Sequence, residues 1–315
     1  MFKSNTAQLL LVKFPILFPL AYGLVLYSFP SFEQMLLLIT LFLLAESHFG
    51  ATWPFFLNKT NYPYLKDKKI ELIFIPLIIT IACLIGFIFF NKIFLLIFFA
   101  ANIYHVTRQS FGVCKLYCKN NTELNFQTNF IYIFNFLFFL VAFFRFYSPV
   151  IESESLFILN IIVLFLILLV STYYIIRYGF SQNYLTFLTG CIIFYPACFV
   201  VNPVHIIIMG VTMHYTQYLY LTNYVYKSRV EALNQGDKFR SKSIFYFILI
   251  KLFYSLIMTF LSSFAKSSGN NFFQELIFIP ILGQMLHFYL DSQIWKFSEK
   301  HNREHTLKYL NRIIN

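Results

Sequence analysis

Seven histidines occur in the 315-residue chain, and five of them, His48, His105, His205, His214 and His287, interrupt long apolar runs. An imidazole taken out of water is costly. Intramembrane ionisable and imidazole side chains therefore usually face a bundle interior or a cavity, where they pair, relay protons or bind a metal. Four of the five share a position relative to the basic residue that follows. His48 lies eleven residues before Lys59, His105 ten before Lys115, His214 thirteen before Lys227 and His287 nine before Lys296. At a rise of about 1.5 Å per helical residue these imidazoles are roughly 13–20 Å from the charges, in one layer. His205 begins its apolar segment at the opposite end and is set aside.

Each of the four has polar company. Glu46 precedes His48 in AESHFGATWPF, although a spacing of two puts them on different helix faces. Arg108 and Gln109 follow His105 at i+3 and i+4 in YHVTRQSFG, and Gln217 follows His214 at i+3 in HYTQYL. Gln284 and Asp291 flank His287 at i−3 and i+4 in GQMLHFYLDSQIWK. Residues three and four apart share a face. A metal-bound imidazole also needs a hydrogen-bond partner for its second nitrogen, for which Asp291, Gln217 and Glu46 are candidates.

Imidazole ligands suit iron, copper, zinc or nickel. Four neutral imidazoles from His48, His105, His214 and His287 around iron(II) would leave positions open for dioxygen. A site buried among apolar helices would admit a lipid or isoprenoid from the bilayer. The expectation is an iron-dependent oxygenase or related redox enzyme. In it Arg108 orients a polar head or an oxygen-derived anion, and Asp291, Glu46 and Gln217 serve as outer partners or proton relay. Gln109, Gln217 and Gln284 are the amides expected beside the cofactor.

Two other readings stay open. The histidines can hydrogen-bond across helices and hold packing together. Alternatively, they can line a proton-coupled transport path with Glu46, Arg108 and Asp291, against which the outer halves of the apolar segments are poor in ionisable groups. Haem is disfavoured, because His205 and His214 are only nine residues apart on one segment. His301 and His305 in KHNREH also have metal-pair spacing, but they sit in a polar, charged stretch where a solvated amphipathic tail is expected.

The elements that must hold these residues follow from composition. The chain is 59% hydrophobic, 21% aromatic and 12% charged, against roughly 25% charged for a soluble domain. No hydrophilic stretch is long enough for a separate soluble domain, so residues 1–315 are expected to form one all-α polytopic transmembrane bundle. A span needs about 20 apolar residues, which places ten of them near 7–29, 34–57, 70–90, 93–114, 125–147, 155–178, 183–201, 203–226, 243–265 and 273–296. Every second loop is basic: Lys59, Lys66, Lys68 and Lys69 in the first; Lys115 and Lys119 in the next; Arg177; Lys227, Arg229, Lys238, Arg240 and Lys242; then Lys296, Lys300, Arg303, Lys308 and Arg312. The intervening loops carry Glu33, or Glu152 and Glu154, or Asn202–Pro203. The positive-inside rule then puts both termini and the tail 297–315 in the cytoplasm. It also accounts for the net charge of +11 without nucleic acid.

Lys13, Lys251 and Arg145 fall inside spans within snorkelling reach of an interface. Trp53, Trp295, Tyr215, Tyr218 and Tyr220 are expected as interfacial aromatic anchors. The five cysteines (Cys83, Cys114, Cys118, Cys191, Cys198) are expected to be unpaired. The amino-terminal apolar run is too long for a cleavable signal.

The segment SHFGATWPF resembles the HFG-containing helix of the Brp/Blh membrane carotene dioxygenases, a polytopic family with histidines on several helices. The likeness covers one helix and the four-histidine plan, and carries over His48 by motif. It implies iron and oxidative cleavage of β-carotene to retinal. HYTQYL and HFYLDSQIWK look like segments of uncharacterised bacterial polytopic membrane proteins, which implies a bacterial inner (cytoplasmic) membrane.

Overall fold

A chain this apolar has one economical way to satisfy its backbone. Without water, N–H and C=O groups must pair within their own segment, which favours helices. The computed structural model describes residues 5–118, 120–146, 153–233, 237–267 and 274–314. Lys119 and Glu152, and the side chains of Lys238 and Arg312, lie outside what is described. Among the described residues every regular element is helical.

Among the described residues, five helices are long and apolar enough to cross a membrane: Pro30–Phe56, Ile70–Phe89, Asn121–Phe146, Ser153–Tyr178 and Phe239–Lys266. A sixth arises if the broken pair Thr6–Lys13 and Leu17–Ser28, bent by 67°, counts as one. The remaining four apolar segments are helical but fall short in different ways. Gln182–Ile192 and Phe278–Ile294 have only 11 and 17 residues. Asn91–Tyr117 and Pro203–Ala232 are long enough, at 27 and 30 residues, but diluted by buried polar groups. These include Asn102, His105, Thr107 and Ser110 in the former, and Thr212, His214, Thr216 and Gln217 in the latter. Three of the four helices that carry these histidines thus depart from simple hydrophobicity, while His48 lies within the apolar stretch Pro30–Phe56. By contrast, Ile70–Phe89 and Phe239–Lys266 expose large side chains such as Leu77 and Phe253. A contiguous apolar face of this kind fits lipid, not water. Among the described residues the protein is all-helical, and its long apolar helices are suited to a membrane.

Two compact units emerge from the packing: Met1–Leu37 with Asn102–Gln217, and Leu38–Ala101 with Tyr218–Asn315. In the first, Asn135 donates to the carbonyls of Ile131 and Gly190 at 2.8 and 3.0 Å, joining two helices through one buried amide. Gly210 rides against Ile193, where an added Cβ would lie 2.8 Å from the carbonyl oxygen. In the second unit, Glu46–Phe56 packs closely on Asp237–Ser267. Gly50 permits this approach, because a Cβ there would meet the Lys251 carbonyl at 2.9 Å and Tyr254 at 3.0 Å.

Among the described residues, four π-helical turns punctuate the chain: Leu9–Lys13, Leu41–Ala45, Ile70–Phe74 and Arg303–Leu307. A π-turn interrupts the i→i−4 ladder, and a freed carbonyl in apolar surroundings must find another donor. In each case a side chain supplies it. Gln217 Nε2 donates to Val12 O at 2.7 Å and Thr189 Oγ1 to Lys13 O at 2.8 Å. Ser47 and Ser255 both reach Phe42 O. Tyr289 donates to Glu71 O at 2.7 Å, and Arg229 Nε to His305 O at 2.7 Å.

Several expectations change here. Lys13 does not snorkel: it is 3% exposed, hydrogen-bonded to Gln182 and 5.0 Å from the Tyr117 ring centre. Arg145 donates to the carbonyls of Ala197 and Val200 at 2.8 and 2.9 Å. Tyr215 and Tyr218 are buried, so they are not interfacial anchors. The tail is docked, not solvated: Asn302, Thr306 and Leu310 are buried. His301 stacks on Tyr64, its Nε2 lies 3.0 Å from Asn61 Oδ1, and its ring centre is 4.5 Å from that of His305. The polar letters of KHNREH hide this, because their partners come from distant segments. All five cysteines are free and buried.

Candidate metal centre

In the second unit the π-turn Leu41–Ala45 runs directly into Glu46–Phe56, and such turns recur at functional sites because they re-aim the residues that follow. His48 and Thr52 come four residues apart on this helix and share a face. Phe278–Ile294 contributes a second pair with the same spacing, His287 and Asp291. The two helices pack on each other within the unit, and the faces meet. The rings of His48 and His287 lie 4.4 Å apart, centre to centre, at 71°. Both residues are fully buried.

Around this pair runs a chain of hydrogen bonds. Thr52 Oγ1 is 2.6 Å from His287 Nδ1 and 2.9 Å from the Tyr218 hydroxyl. Tyr218 in turn hydrogen-bonds the carboxyl of Asp291. Asp291 Oδ1 also accepts from Trp295 Nε1 at 2.7 Å. Tyr218 stands edge-on to His48, with ring centres 4.5 Å apart. Glu46 is buried and accepts from Gln284 Nε2 at 3.4 Å, so this expected amide partner meets the expected carboxylate.

The first unit holds the other two histidines. Asn91–Tyr117 presents His105 and Pro203–Ala232 presents His214, both buried, with ring centres 5.4 Å apart at 87°. Arg108, three residues beyond His105, is exposed on its helix together with Tyr104. Gln109 is half-buried. The Gln217 amide nitrogen is engaged by the Val12 carbonyl. His205 forms a separate chain, with Tyr22 OH 2.6 Å from Nδ1 and Glu33 Oε1 2.7 Å from Nε2.

The ring spacings can be tested against metal geometry. With a metal–nitrogen bond of about 2.0–2.1 Å, a ring centre sits about 3.2 Å from the ion. Two such rings at 90–110° have centres about 4.5–5.3 Å apart. The observed 4.4 and 5.4 Å lie just outside that interval, one below it and one above. Each unit thus brings together buried side chains of metal-ligating type, His48, His287 and Asp291 in the second and His105 and His214 in the first.

The chain matches no family model, no curated protein and no solved structure. Its chemistry must therefore be argued from its own residues. Sequence spacing had singled out the four histidines, Glu46, Gln284 and Asp291. It had not singled out Thr52, Tyr218 or Trp295. The signal for two of them was nonetheless present: Thr52 is i+4 from His48, and Trp295 is i+4 from Asp291, so both repeat the helical spacing that had marked Asp291.

Proposed function

We propose that this protein is a membrane-embedded metalloenzyme, an iron(II)-dependent oxygenase or related redox enzyme, acting on a lipid or isoprenoid. The ligands are His48, His105, His214 and His287. The observation that carries this reading is the pair of imidazole spacings, 4.4 and 5.4 Å, among fully or nearly buried histidines. A bound iron(II) ion would supply dioxygen chemistry. The residues of the chain would exclude water, orient the imidazoles and offer proton-transfer groups at Asp291 and Glu46. Arg108, on the exposed side of its helix, would engage a polar head. The extensive apolar exposure of the spanning helices supports a substrate delivered from the bilayer. The full arrangement we propose has ten spans and both termini in the cytoplasm of a bacterial inner membrane.

A proton-coupled transporter is the second reading. The break between Thr6–Lys13 and Leu17–Ser28 favours it, since discontinuous helices mark transporter binding sites. So does the Glu33–His205–Tyr22 chain, which puts ionisable groups where the sequence had shown few.

Elemental analysis of detergent-purified protein after expression with ample iron separates the two. The enzyme reading requires about one transition-metal ion per chain, lost in His105→Ala, His214→Ala and His287→Ala while far-ultraviolet circular dichroism is unchanged. Metal-free wild-type protein removes it. Substituted proteins that keep full metal but lose proton-coupled uptake select the transporter.

A further inference from the structure

A metal-binding imidazole has two nitrogens, and the hydrogen bond made by one decides whether the other is available. For His287 the contacts identify which is which. Its Nδ1 is 2.6 Å from Thr52 Oγ1, a full hydrogen bond. The threonine hydroxyl has a single proton and two neighbours, His287 Nδ1 and the Tyr218 hydroxyl at 2.9 Å. It therefore donates to one and accepts from the other. Tyr218 faces the same choice between Thr52 and Asp291.

The far end of the chain breaks the tie. Trp295 Nε1–H can only donate, and its acceptor is Asp291 Oδ1 at 2.7 Å. When Asp291 is ionised, its carboxylate accepts from both Trp295 and Tyr218. The Tyr218 proton then points at Asp291, its oxygen accepts from Thr52, and the Thr52 oxygen accepts from His287 Nδ1–H. Every donor in the series points toward Asp291. The five side chains come from three separate helical segments of one unit, Glu46–Phe56, Pro203–Ala232 beyond residue 217, and Phe278–Ile294 with Trp295 just after it. Thr52, Tyr218 and Asp291 are all 2% exposed or less, so bulk water does not reach in to exchange the partners.

We propose that Thr52, held by Tyr218 and Asp291, is a positioning residue that fixes His287 as its Nδ1–H tautomer and so offers Nε2 to the metal. The proposal rests on the metal-binding reading above but makes a statement about the metal-free protein as well. A carboxylate at the end of the series also makes the imidazole a stronger ligand, as direct carboxylate–histidine contacts do in metal sites. Here the effect is passed through two hydroxyls.

The metal-free test is solid-state nitrogen-15 spectroscopy of histidine-labelled protein in liposomes, with the His287 signals assigned by difference from His287→Gln. Wild type and Thr52→Ser should show a protonated Nδ1 and a bare Nε2. Thr52→Val, equal in size but without the hydroxyl, should lose that preference, and Tyr218→Phe should weaken it. Melting temperatures of the four proteins identify any variant that merely misfolds, and Tyr218→Phe then stands in for Thr52→Val. The metal test is titration with Co(II), followed by its visible absorption. Thr52→Val should bind about 10–100-fold more weakly, the usual loss for an outer partner of a ligand histidine, and Thr52→Ser should restore wild-type affinity. A protonated Nε2 in wild type, or a Thr52→Val protein with unchanged tautomer and affinity, overturns the inference while leaving the metal reading intact. Wild-type protein that takes up neither Co(II) nor Fe(II) overturns the metal reading, and the nitrogen spectra alone then decide whether the tautomer is set as described.

Discussion

Replacing Gly50 by alanine tests the close helix contact on which the His48 side of the site depends. A methyl group there would stand 2.9 Å from the Lys251 carbonyl oxygen, 3.0 Å from Tyr254 Cδ1 and 3.2 Å from Tyr254 Cβ. Relief to ordinary contact needs about half an ångström or more. The first obstacle is backbone, which cannot rotate away as a side-chain tip does. Overpacking of this kind costs about 1–3 kcal/mol. Alanine recovers up to about 1 kcal/mol of helix propensity relative to glycine, so the net loss should be about 1–2 kcal/mol. Gly112 provides the control. It lies within the helix Asn91–Tyr117, and a Cβ there meets nothing within 4 Å, so Gly112→Ala should gain about 0.4–1 kcal/mol. Thermal unfolding in one detergent, followed by tryptophan emission and circular dichroism, should place the two variants on opposite sides of wild type. At about 2–4 °C per kcal/mol for chains of moderate size, the separation is several degrees. Gly50→Ala should also disturb metal binding, since His48 is two residues away, whereas Gly112→Ala should not. Equal stability of the two variants would refute the packing argument, because only the contacts at Gly50 distinguish them.

Further expectations concern the tail and the topology. Arg229 donates to His305 O and Thr306 Oγ1 and covers the Phe55 ring at 4.2 Å. Arg229→Ala should therefore free the tail to proteolysis and cost about 1–3 kcal/mol through the groups left unpaired. Arg229→Lys should not rescue it, since an ammonium cannot reproduce the guanidinium fork. Burial, then the neighbouring His305 and Arg229, lowers the His301 pKa to about 4, with Glu304 and Asp67 opposing. The unfolded value is about 6.5, so protons bind the released tail in preference. Docking should be fully stable above pH 6.5 and weaken progressively as pH falls toward 4. A spin label at Lys300→Cys should report rising mobility over that window, and His301→Gln should flatten the response. A pH-independent signal in the parent protein would exclude the effect. Cysteine-accessibility labelling in intact cells should find residues 58–69 and 227–242 on the cytoplasmic side. Labelling of 227–242 from outside would overturn the topology drawn from Lys and Arg alternation.

Hydrophobic content alone determined that the chain is helical and belongs in a membrane, because both follow from the cost of leaving apolar surface in water and backbone groups unpaired in lipid. All ten apolar segments are helical. The histidines His48, His105, His214 and His287 were also legible, since a buried imidazole is rare enough in such segments to stand out by type. Their i, i+4 companions on the same helix were legible for the same geometric reason, as with Asp291. What spacing cannot supply is rotation about the helix axis relative to other helices. Arg108 shares a nominal face with His105, yet it is exposed while His105 is buried, because neighbouring packing and not helical period selects the buried arc. Gln217 turned out to serve a carbonyl released by a π-turn two hundred residues earlier in the chain, and no local pattern announces a π-turn. Tyr218 looked like an interfacial anchor, and Thr52 like an ordinary helix residue, until tertiary structure aligned their hydroxyls between His287 and Asp291. The tail shows the same limit from the other side. KHNREH reads as solvated because each polar letter is scored alone, whereas Asn61, Tyr64 and Arg229 arrive from elsewhere to satisfy it. Burial of a polar group depends on whether its partners are within hydrogen-bonding distance, and only the folded chain decides that.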